Sequence, residues 1–108
     1  MMIIYNVTTN VDTSIHSQWL DWIKIHIPKV LATGKFKEAK LTRVLVDEQM
    51  GGITYSVQYR ALSKEALEDY YLHYANSLRK EGLQLFGDKT VAFRTELEVI
   101  DEFSVSFS

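Results

Sequence analysis

The chain predicts an α+β domain on the split βαβ plan, a four-stranded antiparallel sheet with two helices on one face. Three observations lead there. Three segments show the period-two alternation of strands and a fourth is β-prone, and two longer ones repeat their apolar residues at helical spacing. Their order is strand, helix, strand, strand, helix, strand, and no repeat, linker or low-complexity stretch interrupts it.

The first strand is "MIIYNVT", residues 2–8, with Ile3, Tyr5 and Val7 on one side and Ile4, Asn6 and Thr8 on the other. "NVDTS" then offers Asp12, Thr13 and Ser14 as competing N-caps for a helix reaching about residue 27. Pro28 disfavours the helical region for Ile27 and lacks a backbone N–H, so the helix is expected to end or kink there. "PKVLATG" then supplies one further turn, with Gly34 as its stop.

Residues 36–47, "FKEAKLTRVLVD", are β-prone but alternate poorly, which leaves their facing open and suggests a bulge. "EQMGG" reads as the turn. "ITYSVQYRA", 53–61, alternates cleanly, with Ile53, Tyr55, Val57 and Tyr59 on its dry side. Ser63 caps a second helix expected to run to about Glu81, where Gly82 would adopt the left-handed terminating conformation. Leu67, Tyr70, Tyr71, Tyr74, Ser77 and Leu78 form its apolar arc. After "FGDK", residues 90–100 alternate Val91, Phe93, Thr95, Leu97 and Val99 against Arg94, Glu96 and Glu98.

Right-handed crossovers place strands one and three at the centre of this ferredoxin-like sheet. The uncovered face is expected to carry Asn6, Thr8, Thr54, Ser56, Gln58, Arg60, Arg94, Glu96 and Glu98. The 108 residues form one domain, its ordered core at about 2–100 and a tail at 101–108.

Composition narrows the function. A formal net charge of -2 lacks the field that neutralises phosphates, and the predicted open face lacks stacking aromatics, so nucleic acid is not an expected partner. The absence of cysteine removes disulfides, thiolate metal sites and thiol nucleophiles. "MMIIYNVTT" has no basic flank and reads as a strand, not a signal peptide, and no stretch reads as a membrane span; the cytoplasm is the default compartment. Neither a dinucleotide fingerprint, a Walker loop, an HExxH zinc motif nor a GxSxG elbow is present, and no cofactor is expected.

The informative stretch is "HSQWLDWIKIHIP", residues 16–28. Trp19 and Trp22 decide which face of the first helix turns inward, because burying each is worth at most about 4–6 kcal/mol. His16 and His26 share that face. They lie ten residues apart, about 15 Å along a helix, so they cannot ligate one metal ion, and no metal site is expected. His16 reads as packing near the helix start. His26 stands beside the tryptophans at the proline break, either as a hydrogen-bonded edge-of-core group or as the polar member of an aromatic cleft between helices and sheet. Trp19, Trp22, His26, Tyr70, Tyr74 and Arg94 are the candidate ligand contacts, and His26 is the candidate acid or base. His73 reads as a surface partner of Asp69 one turn earlier, and Glu96 and Glu98 as a salt-bridge ladder with Arg94.

"WLDWIKIHIPKVLATGKF", "YSVQY" and "LFGDKTVAFRTELEVI" resemble the pattern of a family of small bacterial proteins of unknown function. The matching positions are Trp19, Trp22, His26, Pro28, Thr33, Gly34, Phe36, Tyr55, Tyr59, Phe86, Gly87, Phe93, Arg94 and Thr95. A histidine and a proline at the end of the first helix of this plan are similar to the dimeric α+β barrel superfamily. That superfamily includes cofactor-free monooxygenases, isomerases and haem enzymes, and the resemblance implies a dimer more than any one chemistry. A half-covered sheet independently favours a two-fold homodimer closed face to face. The leading expectation is a homodimeric barrel that binds a small, partly apolar molecule in the aromatic cleft. A cofactor-independent enzyme in the same cleft and a purely structural dimerisation module are the alternatives.

Overall fold

The computed structural model describes residues 1–46 and 51–106. Strand β1, Ile3–Val11, runs three residues past its expected end because Thr9 and Val11 continue the inward row and are buried. The Asp12 carboxylate accepts from the Ser14 N–H at 2.8 Å, which caps a short 3-10 turn over Thr13–Ile15 and holds Asp12 below its ordinary pKa. Helix α1 follows over His16–Leu31.

The helix does not end at Pro28: α1 runs through the proline and stops three residues later. Lys24, whose carbonyl loses its helical partner at Pro28, is exposed together with the proline, so water can take the place of the missing donor. The Ala32 and Gly34 N–H groups donate to the Pro28 and Leu31 carbonyls, and Gly34 has the left-handed φ of +79° expected of a stop.

Strands β2, Phe36–Arg43, and β3, Ile53–Ala61, pair antiparallel, with the bulge between Phe36 and Glu38. That bulge lets buried Phe36 share the inner side with Ala39 and Leu41 despite the poor alternation. Glu48, Gln49 and Met50 of the expected turn lie outside the described residues. Gly52 does need to be glycine: its φ is +80°, and a Cβ there would sit 2.6 Å from the Asn10 side chain and 2.9 Å from the Val11 carbonyl.

Helix α2 spans Lys64–Tyr70, with the Ser63 hydroxyl accepting from the Ala66 N–H at 3.0 Å. A π-helical segment, Tyr71–Ala75, joins it to α3, Asn76–Phe86. The helical stretch thus passes through Gly82, the expected terminator, and ends at Gly87, whose φ is +55°. Packing explains Gly82: a Cβ would lie 2.9 Å from Trp22 Cη2 and 3.3 Å from Cζ2. Strand β4, Thr90–Glu98, closes the sheet in the order β2-β3-β1-β4, with β1 and β3 central. The fold is ferredoxin-like α+β.

The core lies between the helices and the inner rows of β1 and β3, where Tyr5, Val11, Val30 and Leu67 are fully buried. Tyr5, Phe36, Tyr59 and Tyr70 form an aromatic cluster, with Phe36 and Tyr70 meeting edge to face at 4.9 Å. On the open face Ser56 donates to Asn6 Oδ1 at 2.5 Å, which allows a hydroxyl to be buried there.

Strand β4 faces opposite to expectation. Its register pairs Val7 with Arg94, Tyr5 with Glu96 and Thr8 with Phe93, so Arg94, Glu96 and Glu98 lie on the helix side. Val91, Phe93 and Leu97 lie on the open face and are 67%, 60% and 45% exposed. Apolar rows normally turn toward helices, but the helices leave this edge strand uncovered, so burial against them does not choose its face. An aromatic therefore does occupy the open face, though on the edge strand and not on the central pair that RNA-binding sheets use for base stacking. Among the described residues no helix is long and apolar enough to cross a membrane.

Candidate functional site

Two helical stripes and the inner rows of three strands enclose a cavity of about 250 Å³. Trp19, Trp22, Ile23 and His26 follow one another at i, i+3, i+4 and i+7 along α1, and Arg79, Gly82, Leu83 and Phe86 do the same along α3. Tyr5, Val7 and Thr9 of β1 form the floor beside Val57 and Tyr59 of β3, and Thr90, Ala92 and Arg94 of β4 form the side the helices leave uncovered. The wall is mostly aromatic and aliphatic with a few polar groups, the composition of small-molecule sites, at a size just below their range of roughly 300–1,000 Å³.

Trp22 is fixed by its neighbours. The His26 ring stacks on it at 4.4 Å, Phe86 meets it edge to face at 5.7 Å, and Gly82 makes room for its rim. His26 is half-buried, and its Nδ1 is buried without a hydrogen-bond partner among the described residues. Burial lowers its pKa to about 4; Lys29 and Arg94 reinforce the shift and Glu81 opposes it. The imidazole is neutral at pH 7.

Arg79 donates from Nη2 to the Tyr5 hydroxyl at 2.8 Å, and its guanidinium lies 5.9 Å from the centre of the Tyr71 ring. Its Nε is buried and has no partner among the described residues. Burial raises the pKa of Tyr70 to about 12 and pushes those of Tyr59 and Tyr71 up as well, so these phenols stay protonated.

Of the residues expected at the cleft, Trp19, Trp22, His26, Tyr70 and Arg94 line this one cavity, and Tyr74 does not. The π-helical segment inserts one residue into the helical turn. Ala75 thereby takes the buried place, and Tyr74, 37% exposed, stacks outside on Tyr70 at 6.5 Å. His16 lies apart, its Nε2 2.6 Å from the Tyr55 hydroxyl and its ring stacked on Tyr55. His73 stands 3.4 Å from Asp69, which also pairs with Lys35 at 2.7 Å. The expected ladder of Arg94 with Glu96 and Glu98 is not formed: among the described residues none of the three makes an ion pair. Among the described residues no three His, Asp or Glu side chains gather as a metal site.

Sequence reasoning missed Arg79, Leu83 and Phe86. Their spacing from Gly82 signals a shared face, but a helix read as ending at Gly82 hides it.

A family profile described as "Domain of unknown function (DUF4286)" matches residues 2–100. The chain belongs to the DUF4286 family. None of the curated proteins matches it. Among solved structures, a dimeric ferredoxin-like protein from an uncultured marine organism is similar at TM-score 0.73 and 13% identity, over 94% of this chain and 98% of that one. An ethyl tert-butyl ether d (EthD) family protein from Bacillus halodurans is similar at TM-score 0.64 and 15% identity, over 91% and 100% of the two chains. A hydroxynitrile lyase from Passiflora edulis is similar at TM-score 0.64 and 13% identity, over 94% and 97%. At these identities the likeness shows the fold. This DUF4286 chain therefore shares the ferredoxin-like architecture with proteins of more than one description.

Proposed function

We propose that this DUF4286 protein binds a small, partly apolar molecule in the cavity between α1, α3 and the sheet, with Trp19, Trp22, His26, Tyr70 and Arg94 among its contacts. The observation that carries the reading is the cavity itself, about 250 Å³ bounded by rigid rings and opening along an edge strand the helices leave bare. Two of the side chains that line it, His26 and Arg79, each carry a buried nitrogen, Nδ1 and Nε, without a hydrogen-bond partner among the described residues. Tyr74 belongs outside the contact set.

The working form is a homodimer closed through the open sheet face. Val91, Phe93 and Leu97 form an exposed apolar strip there, and one similar solved structure is described as dimeric.

Ala92 lines the cavity from an exposed position on β4, so Ala92→Trp fills the space without disturbing the core. In a thermal-shift screen of small aromatic molecules, hits on the wild type should vanish in Ala92→Trp while the unliganded melting temperature holds. A wild type that gives no hit, or hits that survive the substitution, would count against the cavity.

A second reading makes the cavity catalytic without a cofactor, with His26 as acid or base. The place of His26 on the cavity wall favours it, and a similar structure is described as a hydroxynitrile lyase. A pKa of about 4 makes the free imidazole a weak base and leaves it almost entirely unprotonated at pH 7. If His26→Ala turns over an identified substrate as fast as wild type, this role is wrong.

A further inference from the structure

The charge on the cavity wall goes beyond "small and partly apolar". Two guanidinium groups line it, Arg79 from α3 and Arg94 from β4, and among the described residues no aspartate or glutamate does. The remaining titratable side chains on the wall, among the described residues, are His26 and the tyrosines Tyr5, Tyr59 and Tyr70. The charges around them lie outside: Glu81 and Lys29 flank His26, and Glu96 bears on Tyr71.

The two arginines are placed differently. Arg79 is partly buried, with one nitrogen donating to the Tyr5 hydroxyl and its Nε–H buried without a partner among the described residues. Arg94 stands on the uncovered edge strand, cross-strand from Val7, and makes no ion pair among the described residues. A guanidinium presents its donors as a planar fork matched to a carboxylate. The same cavity is lined by apolar Trp22, Phe86 and Leu83, with the Phe86 ring edge-on to the indole.

We infer that the ligand is an anion with an aromatic body, a small aromatic carboxylate whose charged end is held by Arg79 and Arg94 and whose ring lies against Trp22 and Phe86. The inference rests on the cavity-binding reading and narrows it to one ligand class. Charge complementarity of this kind discriminates by sign, because a neutral isostere forgoes the charge-assisted hydrogen bonds and a cation meets like charge. His26 lines the same wall and, uncharged at pH 7, adds no charge to it.

The test is calorimetric titration with 1-naphthoate and its neutral isostere 1-naphthamide. The wild type should bind the acid at least tenfold tighter than the amide, and added salt should weaken only the acid. Arg94→Met, on an exposed edge strand, carries little folding cost and should cut the acid-to-amide ratio severalfold. Arg79→Met should cut it further, with Arg79→Lys recovering part of it, and melting curves for each variant show that the fold persists. Equal binding of acid and amide, or a ratio untouched by Arg94→Met, overturns the carboxylate inference while leaving the cavity reading intact. Binding of neither compound overturns both.

Discussion

Replacing Gly82 with alanine separates two roles the residue could have in α3. At an ordinary helix position Gly→Ala stabilises by about 0.8–1.0 kcal/mol, since glycine loses more backbone entropy on folding. Here the new methyl would stand 2.9 Å from Trp22 Cη2 and 3.3 Å from Cζ2, where carbon–carbon contacts settle at about 3.5–4.0 Å. The indole cannot slide sideways, because His26 stacks on one face at 4.4 Å and Phe86 meets it at 5.7 Å. It must tilt toward the cavity it lines, and overpacking of this kind costs about 1–3 kcal/mol. Set against the helix gain, the net expectation is a loss of about 0–2 kcal/mol. Urea unfolding followed by far-UV circular dichroism measures it, and Ser77→Gly compared with Ser77→Ala, at an exposed site in the same helix, calibrates the propensity. Displacing Trp22 should also weaken 1-naphthoate binding severalfold. Stabilisation of Gly82→Ala by the full amount seen at position 77, with binding unchanged, would refute the packing role and the account of Trp22 as a fixed wall.

Acid should weaken the protein through His26. Its folded pKa of about 4 lies below the ordinary 6.5, so between those values the unfolded chain holds a proton the folded one does not, and stability falls as pH drops through that window. Full burial would give about 3 kcal/mol between pH 7 and pH 4, and about 1–2 kcal/mol is expected for a half-buried ring. His26→Gln should lose correspondingly less; the hydrogen-bonded carboxylates of Asp12 and Asp69, which also lose stabilisation in acid, cancel in that comparison. Identical pH profiles for the two proteins would show that His26 is not buried as described. Light scattering at micromolar concentration should give the wild type twice the 12.5 kDa chain mass, and Phe93→Glu, on the open face, should return it to one chain. A wild type at 12.5 kDa would remove the dimer, and a dimeric Phe93→Glu would move its interface elsewhere.

The order of elements, the strand arrangement, the Ser63 cap and the inward faces of β1 and β3 are legible in the sequence because each rests on short-range pattern: alternation, a capping hydroxyl, the handedness of a crossover. The α1 side of the cavity is legible for the same reason, since Trp19, Trp22 and His26 share a stripe that the tryptophans force inward. What is not legible depends on what lies above each residue. Strand β4 alternates as clearly as β3, but alternation does not say which side is covered, and the helices do not reach it. Gly82 and Gly87 look alike as terminators until Trp22 is seen against the first. The π-helical segment carries no periodic signature in "YYLHYA", yet it moves Tyr74 out of the wall and precedes the stripe on which Arg79 enters it.

The claim at the centre of the account is that a ligand enters between the helices and the sheet. The chain's two tryptophans both line that space, so ¹H–¹⁵N correlation spectra should show two indole signals, each reporting on the cavity. Titration with 1-naphthoate should shift both signals and the His26 imidazole resonances saturably, and the shifts should disappear in Ala92→Phe. Indole and imidazole signals that stay in place at millimolar 1-naphthoate, while the rest of the spectrum also stays fixed or moves elsewhere, would contradict it.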